Sequence, residues 1–166
     1  MDIEIIAFEE KYIHEANAVW NRVVDDGAAF PQLEQLDERS GIAFFTEQSF
    51  TGLALDKNSG ELLGLYILHP NNIGRCGHIC NASYAVKAGK RGLGIGEALV
   101  THCMAKAAEL GFGILQFNAV VASNHSALHL YEKLGFVQLG TIPGGFIMKD
   151  GSYHDIIPHY HLLNKN

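Results

Sequence analysis

Two short stretches of this chain carry residue types with chemistry in them. In the first, Lys90-Arg91-Gly92-Leu93-Gly94-Ile95-Gly96-Glu97, two cations and three alternating glycines stand where an apolar strand gives way to a long amphipathic run. The first amides of a helix lack intrahelical partners and carry the positive end of the helix dipole, so they point at any anion brought to them. Glycines have no Cβ to hold a phosphate away, and they accept the positive φ that a concave turn needs. Each charge-assisted contact contributes about 1.5–3 kcal/mol, so three or four anchor a pyrophosphate without a metal. Lys90 and Arg91 add long-range attraction. In the second stretch, Asn124 and Tyr131 lie about two helical turns apart, on one face of a helix that Gly135 closes. One face can serve one ligand.

Several familiar phosphate and metal sites are excluded. A P-loop needs Gly-x-x-x-x-Gly-Lys-Ser/Thr, whereas Gly89-Lys90 is followed by Arg91, with no hydroxyl for magnesium. A dinucleotide fold wants Gly-x-Gly-x-x-Gly near the start and an acid ending the next strand; here the spacing is Gly-x-Gly-x-Gly, and Ile114 to Val121 carries no acid. Cys76 and Cys80, four apart on an expected strand, have no second Cys or His pair in register. The pairs His125/His129 and His159/His161 come without a carboxylate in motif, so we expect no metal.

The elements that position these residues follow from hydrophobic periodicity. Ile3 to Phe8 reads as a strand and Lys11 to Val24 as a helix, stopped by Asp25-Asp26-Gly27. An irregular stretch beginning at Ala28 to Pro31 could cover a pocket, before a second helix around Asp37 to Gln48. Ser49 to Leu55 and Glu61 to Leu68 should pair as an antiparallel hairpin across Asp56-Lys57-Asn58-Ser59-Gly60. After a loop at 69–74, Cys76 to Val86 is the fourth strand. A helix from Gly94 to Leu110 then leads into the fifth strand, Ile114 to Val121, as a right-handed parallel crossover. In the next helix Leu128, Leu130, Tyr131 and Leu134 form the buried side. Phe136 to Ile142 and Asp155 to Leu163 supply two last strands, with Gly144, Gly145 and the turn at 149–152 between them, and Pro158 marks an edge or a bulge.

With 166 residues and 48% hydrophobic content, the chain is expected to be a single α/β domain over 1–166. A net charge of −6, without a basic face or Lys/Arg run, argues against nucleic acid. No apolar run reaches the length of a membrane span, and the acidic start Met1-Asp2-Ile3-Glu4 lacks the basic region of a secretion signal, so a cytoplasmic protein with reduced thiols is expected.

The run Arg91-x-x-Gly94-x-Gly96, followed by Asn124, Tyr131 and Gly135-Phe136 in order, resembles the two signatures of the GCN5-related N-acetyltransferases (GNAT). The resemblance covers essentially the whole chain. It implies a mixed, mostly antiparallel sheet with helices on both faces, whose parallel fourth and fifth strands splay to receive acetyl-CoA. By the same resemblance, Lys90, Arg91, Gly92, Leu93, Gly94, Ile95, Gly96 and Glu97 grip the pyrophosphate, Asn124 the pantetheine arm, and the backbone amide near Val86 the acetyl carbonyl. Tyr131 then sits beside the thioester sulfur as the catalytic acid, and its phenol, ordinarily near pKa 10, must be lowered somewhat to protonate a thiolate.

The resemblance implies a small-molecule amine as acceptor, attacking directly. The runs Asn81-Ala-Ser-Tyr-Ala-Val and Gln116-Phe-Asn-Ala-Val-Val-Ala look most like the phosphinothricin and azetidine-carboxylate type, which implies an amino or imino acid held by Asn81 and Asn118. Acetylation of a protein N-terminus or lysine, and a non-catalytic acetyl-CoA-binding module, are the alternatives. Relatives often carry an acid on the fourth strand; here there is none, so the base is open among His78, Asp25, Asp26 and Glu34. A homodimer is expected, with the apolar last strand either completing its own sheet or meeting a partner's.

Overall fold

In the computed structural model, which describes residues 1–163, one eight-stranded sheet carries a large hydrophobic core on each face and a smaller cluster at Val121, Phe146 and Ile156. The last three of the 166 residues lie outside the described part. The strands are β1 (Ile3–Ala7), β2 (Phe50–Asp56), β3 (Leu62–Pro70), β4 (Ile79–Val86), β5 (Ile114–Val121), β6 (Val137–Gln138), β7 (Ile142–Ile147) and β8 (Tyr153–Leu162). Their order is β1-β2-β3-β4-β5-β8-β6, with β7 also paired to β8. Every pairing is antiparallel except β4 with β5.

Helices α1 (Ile13–Asp26) and α2 (Glu38–Glu47) cover one face, while α3 (Ile95–Glu109) and α4 (His125–Lys133) cover the other. The first face is packed around Trp20, whose ring meets Phe30 at 4.3 Å and Phe44 at 5.0 Å. Asp37 caps α2 in a reciprocal box: Ser40 N donates to its carboxylate at 2.7 Å, and Asp37 N donates to Ser40 Oγ at 2.9 Å. On the second face Leu99, Val100, Cys103 and Ala107 of α3 are fully buried against β3, β4 and β5.

The feature that matters most for function is a gap. β4 and β5 pair only at Ile79 with Ile114 and Cys80 with Leu115, after which they separate. β5 is bent by a bulge. Phe117 faces His159 and Val120 faces Ile157 on β8, so Asn118 and Ala119 together oppose Pro158 alone. Proline has no N–H to give the ladder, so the pairing breaks where it stands, while its carbonyl accepts from Leu139 N at 2.9 Å on the other side.

Three expectations change and one open choice is decided. The fourth strand starts at Ile79, so Cys76 lies exposed in a 3-10 turn (Gly74–Cys76), whereas Cys80 is buried. The segment expected as one strand over 136–142 divides into the two-residue β6 and the start of β7. Gly144 and Gly145 fall inside β7, where its register with β8 shifts, and the turn is made by Met148 to Ser152 alone. No residue of α4 is fully buried; Leu128, Leu130, Tyr131 and Leu134 are half-buried against the core, because the helix borders the open gap. The last strand completes its own sheet, with β5 on one edge and β6 and β7 on the other.

Gly64 shows how tightly the site end of the sheet is built. A Cβ there would lie 2.7 Å from the Ala85 carbonyl oxygen and 3.2 Å from Leu99, and a backbone oxygen in a paired strand cannot yield. Gly64→Ala should cost about 1–3 kcal/mol, as other overpacked interiors do. A denaturant midpoint unchanged from the parent would contradict this.

Candidate functional site

Between Val86 and Ile95 the chain turns twice. Lys90 N donates to Lys87 O at 3.1 Å, and Gly92 and Gly94 adopt φ of 79° and 80°, which bars a side chain on conformational grounds alone. Gly94 precedes α3 with no side-chain cap, and Ala98 N is the first donor of the helix to find a carbonyl, that of Gly94 at 3.0 Å. The amides of Ile95, Gly96 and Glu97 therefore stay open at the positive end of a 15-residue helix. Gly96 works differently from the expectation: it has ordinary helical φ, and a Cβ there would touch Leu130 and Val86 at 3.7 and 3.9 Å, so its value lies in clearance between α3 and its neighbours.

A groove of about 420 Å³ runs from this turn along the gap. Val86, Lys90, Arg91, Gly92, Gly94, Ile95, Gly96, Glu97, Asn124 and Tyr131 all line it. Leu93 does not; it is half-exposed on the outer side of the turn. Asn124 caps α4 by accepting from Ala127 N at 3.3 Å and Ser126 Oγ at 3.1 Å, which leaves its side-chain N–H groups for a ligand.

The charges are arranged less simply than their sequence implies. Lys87 and Lys90 both donate to Glu61, at 2.9 Å each, and these bonds hold the Glu61 carboxyl below its usual range. Glu97 turns its carboxylate to Lys133 at 2.7 Å on α4. Arg91 makes no ion pair among the described residues, so it is the loop cation available to an incoming anion. Glu61 was invisible in the sequence, since nothing local ties a hairpin turn to lysines 26 and 29 positions away.

A smaller cavity of about 220 Å³ fills the wedge between β4 and β5, with Asn81, Ser83, Tyr84, Asn118, Asn124 and Tyr131 among its walls and Phe30 and Pro31 closing it over. Asn81 Oδ1 accepts from Ala82 N at 2.8 Å, which fixes the side chain and leaves its NH2 as a two-hydrogen donor. Asn118 and Asn71 exchange hydrogen bonds of 2.7 and 3.1 Å, and Gln116 donates to Asn118 at 3.1 Å. Lys87 N donates to Leu63 O at 2.8 Å, so by the two-residue period of a ladder the amides of Val86, Tyr84 and Ala82 point into the gap. Asn81 satisfies the last of these; those of Tyr84 and Val86 face the groove. Tyr84, which alternation with Val86 would have found, has its hydroxyl buried without a hydrogen-bond partner.

Tyr131 lines both cavities. Rings hold it: Phe117 at 4.6 Å, Phe136 at 5.5 Å and His159 at 5.6 Å between centroids. Burial pushes its phenol above the ordinary tyrosine value, opposite to the lowering expected from the sequence. The group consequently stays protonated at neutral pH and enters any reaction as a donor. Burial likewise pushes the Cys80 and Cys103 thiols up to about 12.

None of the four candidate bases lines the wedge. His78 is exposed before β4, Asp26 pairs with Arg22 at 3.1 Å, Glu34 is exposed, and Asp25 accepts from Gln35 at 2.7 Å beside a different cleft. The wedge contains no carboxylate and no imidazole. Among the described residues there is also no group of three or more His, Cys, Asp or Glu placed to hold a metal, and no helix long and apolar enough to cross a membrane. The arrangement suits group transfer between two ligands: an elongated one, anionic at the α3 end, and a second in the wedge, meeting at Tyr131.

Residues 12–136 match the model of the acetyltransferase (GNAT) family. Over 103 residues the chain is 36% identical to N-acetyltransferase aca1 of Schizosaccharomyces pombe, an alignment that covers 61% of this chain and 49% of that protein, so the chain spans about half the length of this relative. A GCN5-related N-acetyltransferase from Kribbella flavida superposes with a TM-score of 0.88 at 27% identity, covering 96% of this chain and 97% of that one. A phosphinothricin acetyltransferase from Sinorhizobium meliloti, solved in complex with AcCoA, shares the fold with a TM-score of 0.89 at 19% identity, over 99% and 90% of the two chains.

Behind Tyr131, His159 is buried, with Nδ1 donating to Ile157 O at 2.6 Å and Nε2 unpaired. Burial holds this imidazole below its usual value of about 6.5, and burial lowers His102 in the same sense. Below that pH the unfolded chain takes up protons that the folded chain refuses. Stability should therefore be complete above about pH 6.5 and fall as the pH drops beneath it. Thermal melts from pH 7.5 to 5 should show this, with a shallower fall for His159→Gln; an equal slope in the variant would remove His159 from the account.

Proposed function

The chain belongs to the acetyltransferase (GNAT) family, and from that premise we propose that it transfers the acetyl group of acetyl-CoA to the amine of a small molecule, an amino or imino acid. The observation that carries the reading is the position of Tyr131 where the anion groove and the wedge meet. Acetyl-CoA, when bound, supplies an activated thioester whose acetyl group a neutral amine can accept with release of the coenzyme thiol.

The open amides of Ile95, Gly96 and Glu97, with the Arg91 guanidinium, hold the diphosphate. Asn124 offers side-chain N–H groups to the arm that follows. The Val86 amide, pointing into the gap, donates to the carbonyl oxygen as negative charge gathers there. Tyr131 donates a hydrogen bond from its phenol to the sulfur as the C–S bond yields to the new N–C bond, and the proton shed by the attacking nitrogen passes through water to the departing thiolate. The donor groups of Asn81 suit a carboxylate or carbonyl next to the amine, which favours an α-amino acid over a polyamine. With no base in the wedge, the ammonium proton leaves through water at the open mouth before attack.

A cytoplasmic homodimer is part of the same proposal. The exposed apolar residues Val137, Leu139, Ile142 and Ile147 along β6 and β7 support association, which light scattering in solution tests.

Two variants examine the chemistry. Arg91→Ala should weaken coenzyme A binding by tenfold or more in calorimetry, the equivalent of one charged hydrogen bond of about 1.5 kcal/mol; equal affinity would count against this turn as the phosphate grip. Tyr131→Phe should lower kcat by about 10²–10⁴-fold with little change in the KM for acetyl-CoA. Undiminished thiol release from every amine tested would leave the phenol without a role and favour the module that binds without catalysing.

A further inference from the structure

Three residues with hydroxyls line the wedge: Ser83, Tyr84 and Tyr131. They belong to opposite faces of the sheet. Tyr84 and Tyr131 pack against the core beneath α3, the side along which the anion groove runs. Ser83 stands opposite Ile67 of β3, and Ile67 belongs to the core beneath α1, so Ser83 shares that face with Asn81 and with Phe30 of the covering loop. The wedge thus reaches through the sheet, from the groove on one face to the space beneath Phe30 on the other.

The Ser83 hydroxyl is also uncommitted. Among the described residues it makes no hydrogen bond, and it is not sealed away from the cavity as the Tyr84 hydroxyl is. The amide oxygens around it are occupied: that of Asn118 by Asn71 and Gln116, that of Asn124 by Ser126 and Ala127, and that of Asn81 by Ala82 N. By the ladder that aims the Val86 amide, the carbonyls of Ala82 and Tyr84 face the gap as well. A carbonyl accepts a hydrogen bond and goes no further. A hydroxyl accepts one proton while releasing another.

Resting on the amine-acetylation reading above, we infer that the acceptor amine enters from the α1 face and that Ser83 is a catalytic residue, the first station for the proton the amine sheds. Ser83 Oγ accepts an N–H of the neutral amine, which turns the nitrogen lone pair toward the gap. The N–C bond then forms, and the C–S bond breaks with its electron pair going to sulfur. The nitrogen gives one proton to Ser83 Oγ as the Ser83 hydroxyl proton passes to water and from there to the thiolate. Ser83 ends as it began, and the products are a neutral amide and a thiol. A wedge without carboxylate or imidazole can work in this way because its hydroxyl is never required to hold a charge.

The test follows thiol release from acetyl-CoA with a panel of amino acids and alkylamines, taking the fastest acceptor, and measures coenzyme A affinity by calorimetry alongside. Ser83→Ala should lower kcat by about 10²-fold, the lower end of what a positioned proton acceptor contributes, and leave coenzyme A affinity unchanged. Ser83→Thr and Ser83→Val share a branched shape and differ in the hydroxyl, so Thr should keep most of the parental kcat while Val loses it as Ala does. A serine hydroxyl does not titrate near neutral pH, so the pH profile of kcat/KM should fall in height and keep its shape. Parental kcat in Ser83→Ala, or Val as active as Thr, overturns the inference and leaves acetyl transfer standing. A loss in Ser83→Ala matched by weaker coenzyme A binding marks a structural role and overturns it too. No thiol release by the parent enzyme from any amine of the panel, while coenzyme A still binds, overturns the transfer reading and this inference together.

Discussion

The structure depends on an interruption in its own hydrogen bonding. Two parallel strands begin to pair at Ile79 and Cys80 and then part, and the backbone groups left facing the gap are the ones a ligand can use. A sheet normally cannot leave such groups bare, because each unpaired amide away from water costs about as much as a lost hydrogen bond. The cost is tolerated because Pro158 on β8 fixes a bulge in β5, and because the two faces are packed independently, around Trp20 on one side and around α3 on the other. The gap is a consequence of covalent structure in one strand and steric packing in its neighbours, which makes it present before any ligand arrives.

The same logic explains the division of labour around Tyr131. Its aromatic neighbours fix the ring without engaging the hydroxyl, so the polar tip is presented at the meeting point of groove and wedge while the body remains in the core. Burial makes the phenol a reluctant acid, so in the proposed reaction its usefulness rests on the hydrogen bond it offers the sulfur as negative charge gathers there. The wedge itself is lined by amides and hydroxyls whose directions are set by one another: Asn81 by Ala82, Asn118 by Asn71 and Gln116. In the proposed reaction such a lining orients a substrate and leaves its protonation to the solvent.

Much of this was legible in the sequence. The glycine turn, the Asn124 cap, the seven-residue spacing to Tyr131 and the crossover from the fourth to the fifth strand depend on local periodicity and on residues a few positions apart, and the observed elements follow them closely. What stayed hidden depends on distant partners. The Glu61 link to Lys87 and Lys90 and the division of 136–147 into two strands are decided by tertiary register. The direction of the Tyr131 shift was misjudged for the same reason, since Phe117, Phe136 and His159 come together around it only in the fold.

The pairing of Lys90 with Glu61 and of Glu97 with Lys133 changes the character of the proposed anion site as a whole. Most of its attraction comes from oriented peptide dipoles, with Arg91 as the one loop cation left unpaired among the described residues. Mobile ions screen full charges far more effectively than fixed dipoles in direct contact with a ligand. In the proposed reading the grip is of a kind that responds gently to ionic strength, and a turn that looks electrostatic in its residue types is chiefly a shaped surface of donors.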